Sequence, residues 1–132
     1  MEIPVELAQI IINEEVDQQI IVVRELDGQG RGFPIVIGMP EILAIDRRIK
    51  SISLPRPLTH DLLQQVIEEM GGVIQKVVVS DLRDHTFFAT IHVLQDGKTV
   101  KIDSRPSDAI ALLAGLDVPL FVEDHVFDQL SM

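Results

Sequence analysis

The sequence predicts an α+β fold, in which a duplicated strand-strand-strand-helix-helix motif forms one mixed β-sheet with helices packed against it. Two observations carry this prediction. In each half of the chain, apolar runs with strand character are followed by segments with helical spacing. In addition, PIVIGMPEILAI and VKIDSRPSDAIAL share a pattern of strand, corner, proline, acid and apolar helix, about 66 residues apart. We therefore expect one domain over 1–132, with pseudo-repeats at about 1–71 and 72–132.

The first half begins with three predicted strands and continues with two predicted helices. The strands cover residues 3–12, 18–26 and 33–38, with a glycine-rich loop before the third. Isoleucines at helical spacing then indicate a helix whose first turn suits Pro40. For the next helix we predict Thr59 as the N-cap and an end at Gly71. Its apolar stripe consists of Leu62, Leu63, Val66, Ile67 and Met70.

The second half repeats this order. Predicted strands cover residues 73–82, 85–95 and 98–103, and the Asp-Gly pair at 96–97 predicts a two-residue hairpin turn between the last two. A helix then begins at Pro106 and closes at Gly115. The remaining residues predict a short strand or turn and a last helical turn. No linker composition separates the halves.

Composition limits the classes of function. The chain has 132 residues, 46% of them hydrophobic, with no cysteine, no apolar run long enough for a membrane span and no signal-like start. These features predict a cytoplasmic domain without membrane contact. Eleven Lys and Arg against 21 Asp and Glu give a net charge of −10, which repels polyanions at long range. Any contact with nucleic acid is therefore expected to be local.

Known catalytic signatures do not account for this chain. The sequence contains no GxGxxG, GxxxxGK[ST], GxSxG or HExxH pattern, so nucleotide-binding, serine-hydrolase and zinc-protease interpretations lose their usual support. It also has no Trp and no Tyr, which leaves little material for stacking bases.

The densest polar cluster is the strand-to-helix corner at 103–108. With Pro106 as the first helical residue, Arg105 is the N-cap, and Asp108 is placed to accept backbone N–H groups of the first turn. Two functional alternatives stay open. Arg105 and Ser107 suit an anion such as phosphate, whereas Asp103 and Asp108 suit Mg²⁺ or Mn²⁺.

Three further groups carry weaker signals. His60 is either an exposed residue after the N-cap or a general acid or base. The basic stretch contains Arg47, Arg48, Lys50 and Arg56, and stabilisation of a helix C-terminus by the first three is favoured over a phosphate-binding patch. Asp81, Asp84 and His85 flank a predicted turn, where aspartates are common for structural reasons, and the two acids are a second choice for metal binding. His92 is predicted to face solvent, and His125 to form a surface salt bridge.

The segments RPLTHDLL, VVVSDLRDHTFFATI and IDSRPSDAIAL resemble the bifunctional nuclease family, a domain of bacteria and plants. The resemblance covers nearly the whole chain. It implies a nuclease of relaxed choice between RNA and DNA, an α+β fold with a duplicated motif, and a homo-oligomer, with a dimer as the first expectation. The matching positions are Arg56, His60, Asp61, Asp81, Asp84, Thr86, Asp103, Arg105, Ser107 and Asp108.

The resemblance and the clustering of these residue types together suggest a phosphodiesterase. In this hypothesis, Asp103 and Asp108, joined by Glu41 from the matching corner, hold a divalent ion that activates water. Arg105 or Arg56 positions the phosphate, and His60 is the general base or acid. The alternative is a non-enzymatic oligomeric module that binds an anion or a protein, which the net charge of −10 favours.

Overall fold

A computed structural model describes residues 1–130 and shows one seven-stranded sheet with four helices. The predicted α+β fold with a mixed sheet is confirmed. The elements in chain order are β1 (Glu2–Ile11), β2 (Gln18–Glu25), β3 (Gly32–Gly38), α1 (Met39–Ile49), α2 (Thr59–Glu69), β4 (Val73–Arg83), β5 (Thr86–Gln95), β6 (Lys98–Ser104), α3 (Pro106–Leu113), β7 (Leu120–Glu123) and α4 (Asp124–Leu130).

Two antiparallel meanders flank the short central strand β7. The strand order is β3-β2-β1-β7-β4-β5-β6, and β4 with β7 is the one parallel pair of this sheet. Each meander ends in an outer strand, β3 or β6, that leads directly into a helix. This arrangement accords with the predicted motif, although β7 has no counterpart in the first half. The duplication itself remains a prediction.

The core lies on the helix-bearing face of the sheet. Alternate residues of the strands, such as Ile21, Val23, Ile35 and Ile37 in the first meander, are buried there together with residues of α1 and α3. The rings of Phe33 on β3 and Phe87 on β5 stack with their centroids 5.2 Å apart. Because four strands lie between β3 and β5 in the sheet order, this contact shows that the sheet curls around the core.

Helix α2 differs from its prediction in two respects. Its N-cap is Leu58, not Thr59, and the carboxylate of Asp61 accepts a hydrogen bond from the Leu58 N–H at 3.1 Å. Its apolar stripe is also largely exposed, since Leu62, Leu63, Val66 and Met70 lie at the surface and Ile67 packs against the core. The buried residue of α2 is instead His60. No helix within residues 1–130 has the length and apolar character needed to cross a membrane.

Candidate active site

A cleft of about 510 Å³ lies where the two outer regions of the curled sheet approach each other. Four parts of the chain line it: the start of β2, strand β3 with the first turn of α1, the β4–β5 turn, and the corner between β6 and α3. The polar side chains that line it are Asp17, Gln18, Glu41, His85, Thr86, Arg105 and Ser107. The cleft therefore unites the two strand-to-helix corners that the sequence pattern marked as equivalent.

The corner between β6 and α3 is built as the sequence predicts. Arg105 is the N-cap in extended conformation, and Pro106 occupies the first helical position, where its missing N–H costs no hydrogen bond. The Asp108 carboxylate, however, does not accept hydrogen bonds from the backbone N–H groups at the start of α3. Its carboxylate accepts hydrogen bonds from two side chains instead, so this part of the prediction is wrong.

Asp108 connects the cleft to helix α2. Its Oδ2 accepts a hydrogen bond from Arg105 Nε at 2.8 Å, and its Oδ1 lies 3.1 Å from His60 Nε2. Hydrogen bonding and the charge of Asp108 raise the pKa of Arg105, with a smaller contribution from the charge of Glu41. Arg105 is therefore a permanent cation whose orientation is set, while 66% of its side chain is exposed.

His60 lies behind the cleft rather than in it. The interpretation of His60 as an exposed residue is wrong, because its side chain is only 11% exposed and belongs to the contact between α2 and α3. With the proton on Nε2, His60 donates this hydrogen bond to the Asp108 carboxylate. The chain of contacts from His60 through Asp108 to Arg105 can set the position of the guanidinium.

Arg48 forms the centre of a second network, which joins three helices. Its Nε and Nη2 donate to the carbonyls of Ala111 and Leu112 at 2.8 and 2.7 Å, in the last turn of α3. Nη1 donates to Asp61 Oδ1 at 2.6 Å, and Nη2 also donates to Gln64 on α2. A guanidinium at this point satisfies carbonyls that lack helical partners and complements the helix dipole. All three guanidinium nitrogens of Arg48 thus donate hydrogen bonds within the protein.

Asp61 forms ion pairs with two neighbouring arginines, Arg47 and Arg48. Its Oδ2 also lies 2.8 Å from Arg47 Nη2. Partial burial raises the pKa of Asp61, but the hydrogen bonds from Leu58, Arg48 and Arg47 outweigh burial, and the pKa falls below its usual value. Asp61 is therefore ionised at neutral pH and holds the start of α2 against α1.

The predicted phosphate-binding arginines lie away from the cleft. Arg47, Arg48 and Arg56 line a second cavity of about 460 Å³ between the end of α1 and α2, which shares no lining residue with the cleft. Arg47 and Arg48 are committed to Asp61, and Arg56 is exposed. A role for these three residues in substrate binding remains a prediction.

The predicted metal ligands do not converge. Asp103 on β6 is the cross-strand partner of Thr90 on β5. The two neighbours of Thr90 along β5, Ala89 and Ile91, point into the core. Strand alternation therefore directs Asp103 to the opposite face of the sheet from α3 and Asp108. Within residues 1–130, no three His, Asp or Glu side chains form a group that could hold a metal ion. Asp103, Asp108 and Glu41 consequently do not fit a shared Mg²⁺ or Mn²⁺ site.

The second set of metal candidates is also dispersed. Asp81 forms an ion pair with Arg83 at 3.0 Å, and its Oδ1 lies 3.4 Å from Nε2 of His125, which is a surface residue as predicted. Asp84 occupies the tip of the β4–β5 turn. His92 is buried rather than solvent-facing, and burial together with Lys76 and Lys101 lowers its pKa, with Glu2 opposing them.

The β4–β5 turn places a histidine in the cleft. Asp84 and His85 are its two central residues and have φ angles of 49° and 63°. Tight hairpins require positive φ at both positions, and Asp and His tolerate this region better than most residues other than glycine. His85 lines the cleft together with Arg105. The sequence pattern groups His85 with Asp81 and Asp84 at the turn, and its place in one cleft with Arg105 depends on the curl of the sheet.

Comparison with known proteins identifies the domain. The sequence profile of the bifunctional nuclease domain matches residues 21–132. The chain belongs to the bifunctional nuclease domain family. The matched region contains both strand-to-helix corners and the β4–β5 turn of this bifunctional nuclease domain, whereas Asp17 lies outside it.

Individual relatives differ in distance and in length. An uncharacterized protein of Mycobacterium tuberculosis is 33% identical over 128 residues, which cover 97% of this chain and 76% of the relative. Bifunctional nuclease 1 of Oryza sativa subsp. indica is 23% identical over 109 residues, and bifunctional nuclease 2 of Arabidopsis thaliana is 27% identical over 110. Each plant match covers 80% of this chain and 33% of the plant protein. The chain thus spans about a third of the relatives that are named nucleases.

Proposed function

We propose that this domain hydrolyses phosphodiester bonds of RNA or DNA in the cleft beside the corner of β6 and α3. Family membership supports the reaction class. The observation that carries the location is Arg105, an exposed guanidinium that Asp108 orients at a cleft also lined by Ser107 and His85. A planar guanidinium binds phosphate through two parallel hydrogen bonds.

Each side chain of the cleft has a distinct task in this proposal. Arg105 binds the phosphate and stabilises the charge that develops on its oxygens. Ser107, at the first turn of α3, adds a hydroxyl donor, and His85 transfers a proton to or from the reacting oxygens. His60 is a positioning residue, because it reaches the cleft only through Asp108 and Arg105. No step passes through a divalent ion, and addition of EDTA to the purified protein tests that point independently.

The change His85→Asn is expected to reduce cleavage of a labelled oligonucleotide by roughly 100-fold or more, the effect typical of losing a general acid or base. Asparagine tolerates positive φ, so the turn is kept while the imidazole is lost. Steady-state rates across pH 5 to 9 are the measurement. His125→Asn, which removes an exposed histidine outside the cleft, is the control. Equal rates for both variants and the wild type would contradict the role of His85.

A non-enzymatic binding module is the second candidate, and the acidic character of the cleft favours it. Asp17 and Glu41 line the cleft together with Arg105, in a chain of net charge −10. Purified wild-type protein that cleaves neither RNA nor DNA, with or without Mg²⁺ or Mn²⁺, would contradict the nuclease proposal and favour this alternative.

We also propose that two copies of the chain associate through an exposed apolar ridge on α2. The ridge consists of Leu58, Leu62, Val66 and Met70, which are spaced four residues apart and are 45% to 70% exposed. Such a row packs into the groove of a second helix. An antiparallel second copy is the fitting occupant, because all four positions of the ridge are apolar and a two-fold contact then covers the whole ridge of both copies. That arrangement also brings Glu69 of one copy toward the positive end of the other α2.

A charge in the middle of the ridge is expected to disrupt the dimer. Val66→Glu places two carboxylates at the centre of the two-fold contact and should give monomer at tens of micromolar, a concentration where a standard-sized interface forms. Sedimentation velocity measures the outcome. Leu43→Glu, at an exposed apolar position of α1, is the control and should leave the dimer intact. A wild-type protein that is monomeric in this range would refute the association.

A further inference from the structure

We infer that the cleft recognises a short, unpaired stretch of two to a few nucleotides, gains nothing from a longer strand, and excludes duplexes. The inference rests on the proposed function and specifies its substrate. Three properties of the described chain carry it: the charge of the cleft, the distribution of the remaining cations, and the size and lining of the cavity.

The cleft offers a phosphate chain a single point of attachment. Of the residues described as lining it, Arg105 is the only Lys or Arg, and Asp17 and Glu41 lie on the same lining. A phosphate bound by Arg105 is therefore held locally, whereas neighbouring phosphates of a long strand meet carboxylates. Each additional phosphate raises the repulsion without adding a contact.

The rest of the described chain supplies no continuous row of cationic side chains that could bind successive phosphates of a polyanion. Proteins that bind nucleic acid polymers neutralise several phosphates at once. Apart from Arg105 in the cleft, six of the other ten Lys and Arg residues form ion pairs with carboxylates of the same chain; they are Arg31, Arg47, Arg48, Lys50, Lys76 and Arg83. The other four are Arg24, Arg56, Lys98 and Lys101, which lie on three different segments and do not line the cleft.

The size and walls of the cleft match one or two nucleotides. A volume of about 510 Å³ falls in the range of cavities that enclose small-molecule ligands. Pro34, Val36 and Phe87 provide apolar lining in the same cleft, where an unstacked base can pack. A base inside a duplex is not available for such contact unless it leaves the stack, which costs a few kcal/mol. The cleft therefore selects unpaired nucleotides.

The test compares three substrates with the same labelled scissile bond: a dinucleotide, a single strand of 20 nucleotides and a duplex of 20 base pairs. We expect kcat/KM for the dinucleotide to lie within about tenfold of the single strand, and the duplex to be at least about 100-fold slower. For the single strand, log kcat/KM should fall with log salt with a slope of about −0.7, the value for one phosphate contact.

Other outcomes separate the inference from the proposed function. Cleavage of the long strand without cleavage of the dinucleotide, or a salt slope of about −3 or steeper, overturns the inference and leaves the nuclease proposal standing. Cleavage of no substrate overturns both. Asp17→Lys, which adds a cation to the cleft, should steepen the slope for the long strand by about 0.7. Glu14→Lys, an exposed change in the same loop but outside the cleft lining, is the control. Equal effects of the two would also overturn the inference.

Discussion

Replacement of Arg105 by alanine is expected to lower kcat/KM for oligonucleotide cleavage by about two to three orders of magnitude, the effect of losing a group that stabilises transition-state charge. The fold should tolerate the change, because the Arg105 side chain is 66% exposed and its pair with Asp108 spans one helical turn. Exposed pairs of this kind contribute about 1 kcal/mol or less to the free energy of unfolding. Thermal unfolding and single-turnover cleavage on the same preparation provide both measurements.

Arg105→Lys distinguishes charge from geometry at the same position. Lysine keeps the positive charge but loses the planar fork that binds two phosphate oxygens and Asp108 together. We therefore expect a rate between those of the wild type and the alanine variant. A contaminating nuclease would give the same rate in all three preparations. Retention of full activity by Arg105→Ala, in protein free of contaminants, would remove the cleft from the proposed function.

Replacement of Arg48 by methionine is expected to reduce the free energy of unfolding by about 3 to 5 kcal/mol, as happens when one partner of a buried ion pair is removed. Methionine keeps much of the volume but leaves the carbonyls of Ala111 and Leu112 without their donors and Asp61 without one of its cations. For a domain of this size the melting temperature should fall by on the order of 10 °C. Calorimetry or denaturant titration measures the change.

Lys50→Met is the matched control for Arg48→Met. Lys50 lies two residues further along, is exposed and forms an i,i+4 pair with Asp46, so its loss should cost about 0.5 kcal/mol or less. An Arg48→Met protein that melts like the wild type yet binds oligonucleotides poorly would reverse the assignment. It would show that Arg48 serves the substrate, the less favoured alternative for the basic stretch, and not the junction of α1, α2 and α3.

The curl of the sheet is what creates the cleft. In a flat sheet of this strand order, β3 and the β5–β6 hairpin would be far apart, since β2, β1, β7 and β4 lie between β3 and β5. Stacking of Phe33 on Phe87 and the edge contact of Phe33 with Phe127 bring these regions together. Helices α1 and α3, which follow the outer strands β3 and β6, therefore begin at the same cavity.

The sequence alone determined the local features of the chain, namely its turns, its helix ends and its strands. The Asp96-Gly97 turn has positive φ at both residues, because this pair favours a two-residue hairpin. Pro106 begins α3 and Gly115 follows it in the left-handed region, where a side chain would collide with the Arg48 backbone. Alternation along the strands likewise predicted the sheet. These features depend on neighbouring residues, so periodicity and turn chemistry suffice.

Only the tertiary structure decided which polar residues act together. The contact between His60 and Asp108 joins residues 48 apart, and that between Arg48 and Ala111 joins residues 63 apart. Asp103 and Asp108 are near neighbours in sequence, yet strand alternation and the start of α3 direct them to opposite faces of the sheet. Local propensity sets the conformation of each segment, but the packing of helices on a curled sheet sets which side chains meet. For that reason the sequence marked Arg105 and its corner, whereas the fold alone brought His60 into contact with Asp108 and placed His85 in the same cleft as Arg105.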